Sequence, residues 1–237
     1  MTTLVRLDNV EHAALRLRGG HGARFGEAVN QVAVVASEFD EAQREYPILF
    51  TRGADGLLQA VAILGFDRDE NLFLDGERWD ADYIPALLRR GPFALGTAAG
   101  EPALHVDLAH PRLAAQGEDG QPVFKPHGGE APALEAARGA LRLLHAGAAA
   151  APAMTALFDE LGLAEAARLQ VRFSDDASVD FDGYMAVTRE QIARLDGAAL
   201  GRLNAAGLLD VAVFAAASLG TMPRLIARKR RKLAMAG

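Results

Sequence analysis

The stretch PILFTRGADGLLQAVAILGF, residues 47–66, constrains the fold more than any other. Two apolar runs flank the glycine turn GADG, too short a connection for anything but antiparallel pairing. The second run is apolar almost throughout, so the predicted hairpin has a buried face. Upstream, VAVV (32–35) reads as extended. Ser37 is the expected cap of a short helix over EFDEAQREY, with Glu38 and Asp40 in its first turn, and Pro47 ends that helix.

Around this hairpin the period of the sequence changes along the chain. Short strands are predicted at LVRL, AALRLR, Asn71 to Leu74, GPFALGTA and PALHVDLA, with a tight Asp75-Gly76 turn before Trp79. YIPALLRR has helical spacing, and Pro85 suits a first turn. Residues 111–133 are dense in Gly and Pro and read as a long loop. Beyond them, ALEAARGALRLLHAGA and APAMTALFDELGL read as two helices, and residues 168–187 as a hairpin around an acidic turn. The C-terminal segment reads as several short helices, and Thr188 with Gln191 forms a capping box. The expected class is α+β: an antiparallel sheet with short helices in the first half, helices plus a β-hairpin in the second. The expected division is a sheet part over 1–110, the loop 111–133, and a helical part over 134–237, the two parts forming one compact unit.

Composition removes several chemistries. With no cysteine among 237 residues, disulfides, thiolate metal sites and cysteine nucleophiles are excluded. The N-terminal MTTLVRLDNVEH lacks the apolar core of a signal peptide. LLDVAVFAAASLG (208–220) is shorter than the ~18 apolar residues of a membrane span and contains Asp210. A cytoplasmic, non-membrane protein is therefore expected. The net charge of −6 hides an asymmetry, because the ending RLIARKRRK is strongly basic and the remainder more acidic still. Such a body lacks the broad positive face that nucleic-acid binding needs.

Four places carry candidate chemistry. In HVDLAH, a strand would put His105 and Asp107 on one face, as in two-His-one-carboxylate metal sites. Such a site needs a distant second histidine, His127 or His145; the competing reading is a strand ending at a polar turn. These two are weak metal candidates, and no cofactor is expected. SDDASVDFDG fails the EF-hand pattern, because Asp180 and Val187 stand where Gly and Glu are required. A helix over the basic ending groups Leu225, Lys229 and Lys232 on one side and Arg224, Arg228 and Arg231 on another. That suits either a solvated helix or peripheral contact with anionic lipid or an acidic partner. Finally, in WDADYIPALLRRGPF, Arg89 near Trp79 or Tyr83 could offer its planar fork to a carboxylate or phosphate, with Glu38 as the rival internal partner.

The order and spacing of several segments resemble the bacterial SapC family. Carrying the resemblance are Glu38, Phe39, Tyr46, Pro47, Asn71, Leu72, Phe73, Trp79, Tyr83, Pro85, Arg89, Pro92 and Phe93. Gly183, Leu195, Leu203, Gly207, Ser218 and Leu219 continue it. The family is named from a protein associated with surface-layer genes, and the resemblance implies no established activity. Related proteins look like neighbours of outer-membrane TonB-dependent receptors and flavin-dependent halogenase-like enzymes. The resemblance thus implies a non-catalytic accessory or binding protein linked to envelope or uptake systems, acting on an unidentified protein or small-molecule partner. The candidate binding residues are Asn71, Trp79, Tyr83, Arg89 and Glu38; the alternative is an enzyme acting on a peptide or aromatic metabolite through a pocket around Trp79 and Arg89, lined also by Tyr83 and Asn71.

Overall fold

The computed structural model describes residues 4–98, 101–114, 118–167, 170–173, 178–180 and 182–236. In chain order the strands are β1 (Leu4–Arg6), β2 (Arg16–Leu17), β3 (Gln31–Ala33), β4 (Ile48–Arg52), β5 (Leu58–Ile63), β6 (Leu74–Asp75) and β7 (Arg78–Trp79). There follow β8 (Phe93–Ala98), β9 (Glu101–Asp107), β10 (Gln121–Pro122), β11 (Glu165–Ala166), β12 (Gln170–Arg172), β13 (Ser178–Asp180) and β14 (Met185–Ala186). The helices are α1 (Phe39–Ala42), α2 (Ala86–Arg89), α3 (Pro132–Glu160), α4 (Arg189–Ala193), α5 (Gly197–Ala205), α6 (Leu209–Ser218) and α7 (Met222–Ala236). All the sheets pair antiparallel, and with about 38% helix and 23% strand the fold is α+β.

Two compact units interleave along the chain. The first is Met1–Glu27, Leu74–Asp80 and Ala86–His145; the second is Ala28–Phe73, Ala81–Pro85 and Ala146–Gly237. In the first, β1, β9 and β8 form a sheet in that order. One face of β8 and β9 supplies Phe93, Leu104 and Val106 to a core completed by Val123, Phe124 and the α3 residues Leu134, Ala137 and Leu141. The Gly/Pro-rich stretch is tied down within this unit: β10 pairs with β2, and the Val123 amide donates to the Leu15 carbonyl at 3.0 Å.

The second unit is built on the predicted hairpin. β4 and β5 pair in register Leu49 to Val61, within a sheet ordered β11-β14-β4-β5-β3. Ile48, Leu49 and Phe50 are all fully buried, so both faces of β4 are covered. Phe50 lies between the rings of Phe39 and Phe158, at 6.1 Å from each. Helices reach the sheet backbone directly: the Ile48 amide donates to Ser218 Oγ and the Leu58 amide to Thr155 Oγ1, both at 2.9 Å.

Three local expectations need revision. The helix after β3 begins two residues early, as a 3-10 turn over Ala36–Glu38, and Glu38 itself bonds back to the Val35 amide in place of a Ser37 cap. The strand expected over Asn71 to Leu74 forms only at Leu74–Asp75. The two helices expected either side of Pro152 are one helix, α3. Pro152 and Ala148 are both exposed, so the carbonyl that loses its helical donor faces solvent. By length and apolar composition alone, Pro132–Glu160 and Leu209–Met235 match membrane-spanning helices, a test core helices also pass.

Candidate functional site

Glu38 is 1% exposed yet fully engaged: one oxygen accepts the Val35 amide at 2.9 Å, the other the Tyr83 hydroxyl at 2.7 Å. The Tyr46 hydroxyl donates to the Tyr83 carbonyl, and the Tyr46 ring meets Phe73 edge-on at 4.8 Å. Asn71 Oδ1 accepts the Phe73 amide at 2.9 Å, a local turn that aims that ring. Glu38, Tyr83 and Asn71 are thus joined through Tyr46 and Phe73 in one stitched network within the second unit. Trp79 and Arg89 belong to the first unit. Trp79 is buried, with its ring edge-on to His21 at 5.7 Å; Arg89 ends α2 and is exposed.

A constellation the sequence reading did not single out surrounds Glu27 in the first unit. Glu27 is 2% exposed and receives Arg112 Nη2, the Gly22 amide at 2.7 Å and His21 Nδ1 at 3.2 Å. Arg112 also donates to the Gly20 carbonyl and lies 4.3 Å over the Phe25 ring. The carboxylate favours the His21 tautomer with the proton on Nδ1. The available signal was GGHGARFGE, which places His21 and Glu27 on either side of a short turn. Arg112 is 85 residues from Glu27, and nothing local points to it.

The basic ending is largely spent inside the second unit. Lys229 is 5% exposed and donates to Asp67 Oδ2 at 2.5 Å and Glu70 Oε1 at 2.8 Å; Lys232 reaches the same Glu70 oxygen at 2.9 Å. Burial pushes the Glu70 carboxyl up, but the two ammonium groups and the Phe66 amide outweigh it and hold it below the ordinary glutamate range. Burial likewise pushes Lys229 down, and its two carboxylate partners reverse that and raise it. Arg228 lies 4.5 Å over the Phe73 ring, Arg230 donates to the Phe173 carbonyl, and Arg224 pairs with Glu45.

His105 and Asp107 do share the face of β9 opposite Leu104 and Val106. His105 Nδ1 lies 3.3 Å from the Ala103 carbonyl, while Asp107 accepts the Ala109 amide at 3.1 Å. Nearby, burial lowers His110, with Asp107 opposing. Among the described residues no three His, Asp or Glu side chains converge on a common point. Asp175 and Asp176 of the acidic turn lie outside the described residues.

One concave site lies wholly in the second unit, where β3 leaves the sheet after Val34. It is a groove of about 430 Å³ walled by Val34 and Val35, by Leu57, Leu58 and Ala60 of the hairpin, and by Gly147, Ala148, Ala151 and Met154 of α3, with Asp55 and Gln59 also lining it. Gly147 permits this meeting of helix and strand: a Cβ there would fall 2.2 Å from Val35 Cβ. Beside the groove, β3 is the edge of the sheet. The Val34 amide bonds inward to Ala60, so by alternation the amides and carbonyls of Gln31 and Ala33 point outward.

No curated protein and no solved structure matches this chain. The SapC family model matches residues 7–225, spanning the hairpin and the Glu38–Tyr83 network and ending within the first turn of the basic helix. The chain belongs to the SapC family.

Proposed function

We propose that this chain is a non-catalytic accessory protein of the cytoplasm, linked to envelope or uptake systems, that captures an extended apolar segment of a partner polypeptide. The observation carrying this reading is the apolar groove of about 430 Å³ beside the open edge of β3. Strand addition supplies backbone hydrogen bonds at Gln31 and Ala33, and an apolar pocket beside them supplies side-chain preference. The test is binding of a labelled synthetic peptide of alternating valine and serine. Ala151→Phe, which fills the groove, and N-methylation of the peptide backbone should each weaken binding about tenfold or more, with the melting temperature of the variant unchanged. Equal binding by the N-methylated peptide would sink the strand-addition reading.

The enzyme reading, an activity on an aromatic metabolite near Trp79 and Arg89, is favoured by one observation. His21 is held by a buried carboxylate, the arrangement that orients a general base. Indole is a suitable probe. Saturating indole that shifts neither Trp79 fluorescence nor the His21 ring resonances removes this reading.

A further inference from the structure

The core of the first unit runs out to the surface at one end. Along β8, Phe93 and Leu95 lie two residues apart and share a face, since strand side chains alternate. Phe93 is fully buried, whereas Leu95 is 43% exposed. On α3, Leu141 packs into the same core, and Leu144 and His145 follow one turn on. Between them lies a shallow depression of about 390 Å³, and the residue at its rim is Arg90.

Arg90 is fixed in place, since Nη1 donates to the Phe93 carbonyl at 2.7 Å. Its other guanidinium donors take no hydrogen bond, and no carboxylate pairs with it, among the described residues. Two other arginines of this unit are paired with carboxylates, Arg112 with Glu27 and Arg138 with Glu130. An anchored guanidinium with open donors, next to the exposed Leu95 and half-buried Leu144 at the end of a core, is complementary to an anion that carries an apolar tail. Its planar fork matches a carboxylate.

We propose that this depression binds an aliphatic carboxylate, its head group on Arg90 and its chain over Leu95, Leu141 and Leu144. The site is separate from the peptide groove proposed above and does not depend on it. Titration of the full chain with decanoate should shift the amide resonances of Ala94, Leu95 and Leu144. Decanol, with the same chain and no charge, should bind about tenfold more weakly, the loss expected for one charged hydrogen-bonding pair. Arg90→Gln should bring decanoate down to the level of decanol. Because Arg90 also bonds the backbone, Leu95→Glu serves as the second variant: it changes an exposed side chain, and it should abolish decanoate binding with the melting temperature retained. The proposal is overturned if decanol binds as tightly as decanoate, if those amides do not move, or if folded Leu95→Glu still binds.

Discussion

Besides Glu38, each unit of this protein buries one glutamate, and these two are neutralised in different ways. In the second unit Glu70 is 3% exposed and meets two lysines of α7 and the Phe66 amide; in the first, Glu27 is 2% exposed and meets an arginine, a histidine and the Gly22 amide. Lys229 lies 6.0 Å from the Phe173 centroid, at the outer reach of a cation–π contact, and its compensation is mainly ionic. Arg112 keeps two further attachments, the Phe25 ring and the Gly20 carbonyl, whatever happens to Glu27. A buried charge with a single kind of support should be the more fragile of the two.

The largest effect is therefore expected at Lys229→Met. It leaves Glu70 buried with the exposed Lys232 as its remaining cation beside the Phe66 amide, and should cost about 3–5 kcal/mol in a urea melt. Adding Glu70→Gln to that variant should recover part of the loss, because the orphaned charge is gone. An uncoupled double mutant would break the comparison. The pH dependence has two limbs. Glu70 is held below its ordinary value, so its contribution is present above the unfolded-state value and is lost as pH falls through the lower folded one. Lys229 is raised, so its contribution is present below its unfolded-state value and is lost as pH rises through the higher folded one. Glu70→Gln should flatten the acid limb of stability against pH.

Glu27→Gln comes next, at about 2–3 kcal/mol, the range for a lost charged hydrogen bond. The amide keeps an acceptor for the Gly22 amide, and Arg112 keeps its stacking and its carbonyl. A loss equal to that of Lys229→Met would show that the stacking on Phe25 contributes nothing, and the contrast between the two sites would collapse.

What could be read in the sequence follows from how local each signal is. The β4–β5 hairpin and the Thr188–Gln191 capping box depend on neighbours a few residues away, and both form as expected. The Glu38 network was half legible. The family pattern pointed to Glu38, Tyr46 and Tyr83, yet only the fold shows the Tyr83 hydroxyl on Glu38, 45 residues away. The Glu27–Arg112 pair and the groove beside β3 depend on tertiary approach alone. Nothing in the alanine-rich helical pattern marks Gly147, whose role shows only in its close approach to Val35.

The smallest effect tests the basic helix itself. Helical spacing puts Leu225, Lys229 and Lys232 on one side, and that side is the one that meets Glu70. Spacing could not tell which side would be buried, because a cluster of cations reads as solvated on either. Arg231 is exposed and lies about 200° around the helix from Lys229. Arg231→Ala should therefore change unfolding free energy by less than about 0.5 kcal/mol, while Lys229→Met, two residues away, sits at the top of the range. Charge reversal at the same position, Arg231→Glu, tests peripheral contact with anionic lipid, since an exposed arginine is what such a surface would use. If vesicles containing phosphatidylglycerol retain wild type and Arg231→Glu equally, the cations of α7 serve the fold. Selective loss of Arg231→Glu from those vesicles would give the outer side of the helix a role of its own.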